Sequence, residues 1–145
     1  MNRNMSTLLN YKKALSVVKL SEDIWNNGDI TEIIKLFTED CVWRDNEQHI
    51  HGKEQILNYL QKKADTKLFY KVKAQLWSYA LYQLNVSFYS EWQFSKNQQW
   101  FRSSGHLFVR LDSIGLIKEF CQSTNGKAIR VDRQVVGTNP RVGGI

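Results

Sequence analysis

Residues 83–111 read QLNVSFYSEWQFSKNQQWFRSSGHLFVRL. On both sides of Lys96-Asn97, apolar and polar side chains alternate with a period of two, which is typical of strands that bury one face. The pattern predicts two antiparallel strands, over 83–95 and 98–111, joined by a two-residue turn. This turn places Glu91 opposite Arg102 in a long hairpin.

The two faces of this predicted hairpin differ in chemistry. One face is mostly apolar, and we expect it to lie under helices; it carries Val86, Phe88, Ser90 and Trp92 opposite Leu107, Gly105, Ser103 and Phe101. The other face combines aromatic side chains with arginine, which favours a protein–protein interface. We therefore predict a homodimer interface formed by Trp77, Tyr89, Glu91, Trp100, Arg102 and His106. A shift of the pairing by one residue would exchange the two faces.

The predicted strands are long for a small domain. Fourteen residues at ~3.3 Å each would span about 45 Å, so the sheet must bend. Gly105, in the middle of its strand, is the predicted bend or bulge. Two further strands, over 68–79 and 116–125, extend the sheet, and the first continues the apolar face.

The N-terminal half predicts helices. The first runs from Ser6 to Asn26, with Trp25 in the core, and ends at Gly28. Asp29 caps a short second helix, with Glu32 completing a capping box. A strand over 41–45 precedes a third helix, from Gly52 to about residue 64. Helices followed by long strands predict an α+β fold, in which a curved antiparallel sheet wraps on three N-terminal helices. We assign residues 1–125 to one domain and residues 126–145 to a basic tail containing glycine and proline.

Composition argues against several classes of protein. The 145 residues carry a net charge of +6, but residues 1–73 contribute only +2 and the last twenty residues contribute +3. A nucleic-acid footprint forms a stripe on a folded face, so no nucleic-acid partner is predicted. No apolar run approaches the ~20 residues of a membrane span, and no secretory signal is evident. We expect a cytoplasmic protein.

Motifs of cofactor and metal chemistry are also missing from the sequence. Cys41 and Cys121 form no CxxC pair, and we expect both to be reduced core residues. His49 and His51 lie on one side of an extended segment, but without an evident third metal ligand they predict a solvated loop. Neither GxGxxG nor GxSxG nor GxxxxGK[ST] occurs, so no cofactor and no metal are expected.

Two stretches resemble a known superfamily. NGDITEII at 27–34, followed by FTEDCVWRD at 37–45, looks like the N-terminal signature of the nuclear transport factor 2-like superfamily. Trp43-Arg44, Trp77, Glu91-Trp92 and the stretch QWFRS at 99–103 resemble an uncharacterised bacterial subfamily of its SnoaL-like branch. The resemblance implies a cone-shaped fold with a pocket in its mouth. Its signature is weaker evidence for function than for fold.

Ketosteroid isomerase, in the same superfamily, offers a comparison by position. The resemblance places its general base on Asp45, its oxyanion tyrosine on Leu20 and its oxyanion aspartate on Leu107. Because both acids are replaced by leucine, steroid isomerisation is not expected. The apolar residue at 107 supports the inward orientation of the apolar face.

These residues converge on one predicted site. Aromatic walls with a few polar groups suit a small hydrophobic ligand, and we predict a pocket formed by Trp43, Ser90, Trp92, Phe101, Ser103 and Gln122. Asp45 is the candidate catalytic residue, since a carboxylate among aromatic rings is expected to have a raised pKa, as a general base requires. Three functions stay open: binding of a hydrophobic metabolite, a cofactor-free lyase, isomerase or cyclase using Asp45 as base, and a homodimeric scaffold or interaction module.

Overall fold

A computed structural model describes residues 10–131 of the chain. Three helices lie in the first half: α1 (Tyr11–Asn27), α2 (Ile30–Ile34) and α3 (Lys53–Thr66). The strands are β1 (Phe37–Arg44), β2 (His49–His51), β3 (Lys67–Ala80), β4 (Gln83–Phe94), β5 (Trp100–Leu111), β6 (Ile117–Thr124) and β7 (Ile129–Val131). The α+β class and the three N-terminal helices are confirmed.

The strands form one curved, open sheet in the order β2-β1-β6-β5-β4-β3, and β7 pairs with β5. Most pairs are antiparallel, but β1 and β6 are parallel. The sheet is therefore mixed, and the prediction of a purely antiparallel sheet is wrong. In the chain, β1 precedes the helix α3, but in the sheet it lies beside β6. The two strands run in the same direction.

The predicted register of the central hairpin is confirmed. Glu91 pairs with Arg102 and Ser87 pairs with His106. The connection is longer than predicted, because the strands end at Phe94 and resume at Trp100. The pairing is still kept, since the Phe94 N–H donates to the carbonyl oxygen of Gln99. The apolar face is the one under the helices, and its side chains Val86, Phe88, Ser90 and Trp92 are all buried.

The sheet bends at register breaks in β3. One break lies between Leu68 and Lys71 and the other between Leu76 and Ser78. Gly105 is not at a break, so its prediction as a bulge is wrong. Glycine is needed there because a Cβ atom would lie 2.0 Å from the carbonyl oxygen of Ser123 on β6.

The helix ends follow the local chemistry. Asn10 accepts a hydrogen bond from the backbone N–H of Lys13 and caps α1, and Gly28 ends it in the left-handed conformation. Asp29 caps α2 through the N–H of Thr31 as predicted. Glu32 makes an ion pair with Lys35. Residues 6–9 of the predicted first helix lie outside the described residues.

The core joins the helices to the inner face of the sheet. Trp25 of α1 packs on Phe37, Trp43 and Phe120, which confirms its placement in the core. Two segments predicted as irregular are strands. β2, carrying His49 and His51, pairs with β1, and β7 pairs with residues 100–102. The sheet thus extends into the segment predicted as a tail, whose residues 132–145 lie outside the described residues.

Candidate functional site

A cavity of about 580 Å³ lies between the helices and the inner face of the sheet. Its volume is in the range of ~300–1,000 Å³ that small-molecule sites occupy. The wall is largely apolar and is formed by α1, α3 and every long strand; it includes Val18, Ile33, Trp43, Leu60, Phe88, Leu107 and Phe120. Leu107 faces the cavity, as the superfamily comparison implied, and Leu20 lies at its rim with 59% of its surface exposed.

The predicted pocket residues divide into two groups. Trp43 and Gln122 belong to the cavity wall. The other predicted residues lie outside its lining: Ser90, Trp92, Phe101 and Ser103. Ser90 and Trp92 are buried on β4, beside the neighbouring strand β3.

Trp43 is the centre of an aromatic cluster at the cavity wall. Its ring stacks on Phe120 at a centroid distance of 4.3 Å and meets Tyr59 edge-on at 5.7 Å. Only 3% of its surface is exposed. Its indole N–H donates to the Asp45 carboxylate at 3.0 Å, so this polar group already has a hydrogen-bond acceptor. Trp43 therefore contributes mainly apolar surface to the cavity wall.

Asp45 is held by four donors. One carboxylate oxygen accepts from the Tyr59 hydroxyl at 2.6 Å and from Trp43, and the other accepts from the backbone N–H groups of Glu47 and Gln48, both at 2.8 Å. Burial raises the pKa of Asp45, but these hydrogen bonds together hold it below its ordinary value. The expected rise in the pKa of Asp45 is therefore wrong, because aromatic neighbours here supply donors as well as burial. Asp45 also lies outside the lining of the large cavity.

Lys67, at the start of β3, is a wall residue that the sequence prediction missed. Its ammonium lies 4.1 Å from the centroid of the Trp92 ring. Burial lowers the pKa of Lys67 to about 8, and the nearby ammonium of Lys63 acts in the same direction. A partly buried amine in an apolar wall has the character of a functional group.

Tyr70 is a second polar wall residue absent from the prediction. Burial raises the pKa of its phenol to about 12, and a hydrogen bond with Ser90 lowers it in part. Its ring lies 6.5 Å from that of Trp92, which in turn stacks on Phe101 at 6.1 Å. Two of the predicted pocket residues, Ser90 and Trp92, thus contact Tyr70, and Trp92 also contacts Lys67.

Two features explain why Lys67 was missed: the predicted strand begins at residue 68, and β3 contains a register break. Tyr70, Val72 and Ala74 face inward at even positions, so strict alternation would place Lys67 outside. Phe69 adopts a positive φ of 56° within the break, where one strand carries more residues than its partner. The side-chain order is thereby inverted, and Lys67 pairs with Phe94 and faces Trp92. A lysine is usually exposed, so its presence at position 67 gave no sign that the side chain faces the cavity.

The outer face carries the residues predicted for the interface. Arg102 meets Glu91 at 3.5 Å and lies over the Tyr89 ring. Trp77 packs edge-on against His106 at 5.0 Å and has 69% of its surface exposed. A second hollow of about 360 Å³ opens on this side, and its lining includes Asp45, Trp77 and His106.

Within residues 10–131, no group of three or more His, Cys, Asp or Glu side chains is arranged to hold a metal ion. Both cysteines are free, and burial raises the pKa of Cys41 to about 11. Over the same range, no helix is long and apolar enough to cross a membrane.

A family model described as a protein of unknown function, DUF1348, matches residues 8–136. The chain belongs to the DUF1348 family. A comparison with curated proteins finds no match. Membership therefore identifies a family without supplying a reaction.

The fold of this DUF1348 chain is similar to that of several solved structures. One similar structure is a nuclear transport factor 2-like protein of unknown function from Exiguobacterium sp. 255-15, with 15% identity and a TM-score of 0.67 over 77% of this chain and 99% of that one. Another is a candidate polyketide cyclase from Xanthomonas campestris pv. campestris, with 15% identity and a TM-score of 0.71 over 81% and 93%. A third is a candidate isomerase from Bacillus subtilis, with 15% identity and a TM-score of 0.70 over 81% and 90%. These likenesses confirm the nuclear transport factor 2-like fold predicted from the sequence.

Proposed function

We propose that this DUF1348 protein binds a small, mainly hydrophobic metabolite in the cavity between its helices and its sheet. The observation that carries the proposal is the cavity itself, about 580 Å³ in volume and walled by apolar side chains. A filled core would normally close a space of this size, because protein interiors pack as densely as organic crystals. The likeness to a candidate polyketide cyclase is consistent with an apolar ligand.

Binding of a neutral hydrophobic dye tests this proposal. Nile red fluoresces strongly in apolar surroundings, so we expect its emission to rise and shift to the blue on binding. Ala74→Phe adds a ring at the cavity wall and is expected to weaken binding at least about tenfold, a loss of ~1.4 kcal/mol. Gln75→Phe is the matched control, because the next side chain on β3 is exposed and lies beside Ser87 on the outer face.

Two results would overturn the proposal. One is a wild-type protein that leaves the dye emission unchanged. The other is an Ala74→Phe variant that keeps its thermal transition and binds the dye as tightly as the wild type and Gln75→Phe do.

The geometry gives less support to Asp45 as the base of a lyase, isomerase or cyclase. Its two oxygens are occupied by four donors, and its lowered pKa makes it a weak base. Once a substrate is identified, Asp45→Asn separates the two functions. Loss of turnover with retained binding and folding would favour the base mechanism.

We also propose that the chain forms a homodimer through the outer face of β3, β4 and β5. Trp77 and Phe69 support this, since 69% and 68% of their surfaces are exposed. Light scattering is expected to give a dimer for the wild type and a monomer for Trp77→Asp. Leu81→Asp, at an equally exposed turn position, is the control and should stay dimeric. A wild-type monomer at high protein concentration would contradict the proposal. The cytoplasmic location stays a prediction.

A further inference from the structure

The cavity wall carries four charged side chains, and two of them are already satisfied. Glu22 accepts a hydrogen bond from the backbone N–H of Ala74 at 2.7 Å and pairs with Lys19 at 3.2 Å. Lys71 donates to the backbone carbonyl of Asn26 at 3.0 Å. Neither of these two charges therefore needs a partner from a ligand.

The other two charges are the ammonium groups of Lys63 and Lys67. Lys63 lies over the ring of Tyr59 at 5.0 Å, and Lys67 lies over the ring of Trp92 at 4.1 Å. In the part of the chain that the structure describes, every ion pair involves other side chains. Two like charges thus lie near each other in the cavity wall, each against the face of an aromatic ring.

The acidic side chains nearest to Lys67 do not neutralise it. Asp45 and Glu47, in the connection between β1 and β2, act on its charge only from a distance. Both oxygens of Asp45 already accept hydrogen bonds from Tyr59, Trp43 and backbone N–H groups. A cation removed from water without a partner is unfavourable, and an anion placed between the two ammonium groups would relieve that cost.

We infer that the ligand of this cavity is an amphipathic acid, whose apolar body fills the cavity and whose anionic group lies against the ammonium groups of Lys63 and Lys67. The inference rests on the proposed function and adds the chemical class of the ligand. The apolar wall excludes a ligand that is polar throughout, and the two cations disfavour a cationic ligand. A carboxylate is the simplest group that fits two neighbouring ammonium donors.

A matched pair of probes tests this inference. Decanoate and 1-decanol have the same chain and differ in the charge of one end, and each can be titrated against bound Nile red at pH 7. We expect decanoate to displace the dye at least about tenfold more effectively than decanol. Lys67→Met is expected to reduce this preference to less than about threefold while decanol binding is kept. Lys62→Met, on the exposed side of α3, should keep the full preference.

The pH dependence gives a second measurement that needs no variant. Decanoate stays ionised above pH 7, whereas the ammonium of Lys67 loses its proton as the pH rises above about 8. The charged groups that act on this ammonium are Lys63, Asp45 and Glu47. The preference for decanoate over decanol is therefore expected to decrease as the pH is raised from neutral to alkaline. Lys63→Met should also reduce this preference.

The outcomes separate the inference from the proposed function. If Nile red binds but decanoate and decanol displace it equally, the ligand class is wrong and the cavity function stands. If the preference for decanoate is unchanged in both Lys67→Met and Lys63→Met, the two lysines do not hold the anion and the inference is overturned. If the dye and both probes fail to bind, the inference and the proposed function fall together.

Discussion

Replacing Lys67 with methionine is expected to make the folded protein more stable. Methionine keeps the length of the apolar stem over Trp92 and removes the buried charge. The pKa of Lys67 is lowered from 10.5 to about 8, and at ~1.4 kcal/mol per pH unit the protonated amine costs the folded state about 3 kcal/mol. The attraction between the ammonium and the Trp92 ring offsets ~0.5–2 kcal/mol of this. The free energy of unfolding should therefore rise by about 1–2 kcal/mol at neutral pH.

The pH dependence gives this prediction a sign that can be checked. Between about pH 8 and 10.5, the unfolded chain binds a proton at Lys67 that the folded chain has released, so the stability of the wild type rises with pH in that window. The advantage of Lys67→Met is full below pH 8 and disappears as the pH approaches 10.5.

Urea unfolding followed by tryptophan fluorescence measures this effect, on protein refolded from urea so that no bound compound adds stability. Lys62→Met is the control for losing an exposed lysine on α3, and its effect should stay within ~0.5 kcal/mol. The reasoning would be refuted if Lys67→Met were less stable than the wild type at neutral pH. A stability difference that did not change between pH 7 and pH 10 would refute it equally.

Three further predictions concern other parts of the fold. Gly105→Ala should lower the free energy of unfolding by ~3 kcal/mol or more, because the added Cβ would lie 2.0 Å from a backbone oxygen of β6. The control is Ser104→Ala, which should change the free energy of unfolding by less than ~1 kcal/mol in urea titrations. Equal effects of the two substitutions would contradict the reasoning. Tyr59→Phe removes the donor to Asp45 and should cost about 1–2 kcal/mol at neutral pH. Because the pKa of Asp45 is lowered in the folded state, ionised Asp45 stabilises the fold above pH 3.8, and this stabilisation is lost as the pH falls further. The free energies of unfolding of the wild type and Tyr59→Phe should therefore converge at acidic pH. Cys41 is fully buried with a pKa of about 11, so a thiol reagent at neutral pH should modify it only after unfolding, and rapid modification of the native protein would count against this burial.

The hairpin register could be read from the sequence because it depends on local information. Alternation of apolar and polar side chains decides which face of a strand is buried, and the turn between 94 and 100 decides which residues pair. Phe88 and Trp92 are therefore buried where the pattern placed them, and Trp77 is exposed. The parallel pairing of β1 with β6 could not be read in this way, because it joins residues far apart in the chain, such as Phe37 with Ile117 and Arg44 with Cys121.

The candidate site was predicted less completely than the fold. Trp43 and Gln122 reach the cavity, since each lies on a strand whose alternation is regular at that point. Asp45 was identified as a polar residue near the aromatic cluster, but the direction of its pKa shift was predicted wrongly. The reason is that the Tyr59 hydroxyl, which donates to Asp45, belongs to helix α3 and not to the strand that carries Asp45. Hydrogen bonds between distant elements set a pKa, and a linear sequence does not show them.

The sequence by itself determined the class of fold, the pairing of β4 with β5 and the buried face of the sheet, because each follows from side-chain periodicity over a few residues. The tertiary structure alone decided which charges enter the cavity. The register break at Phe69 inverts the order of side chains in β3, so that Lys67, which lies before the predicted strand, joins the cavity wall with Lys63 of α3. A bulge of this kind depends on the curvature of the whole sheet, and a local sequence pattern carries no information about that curvature.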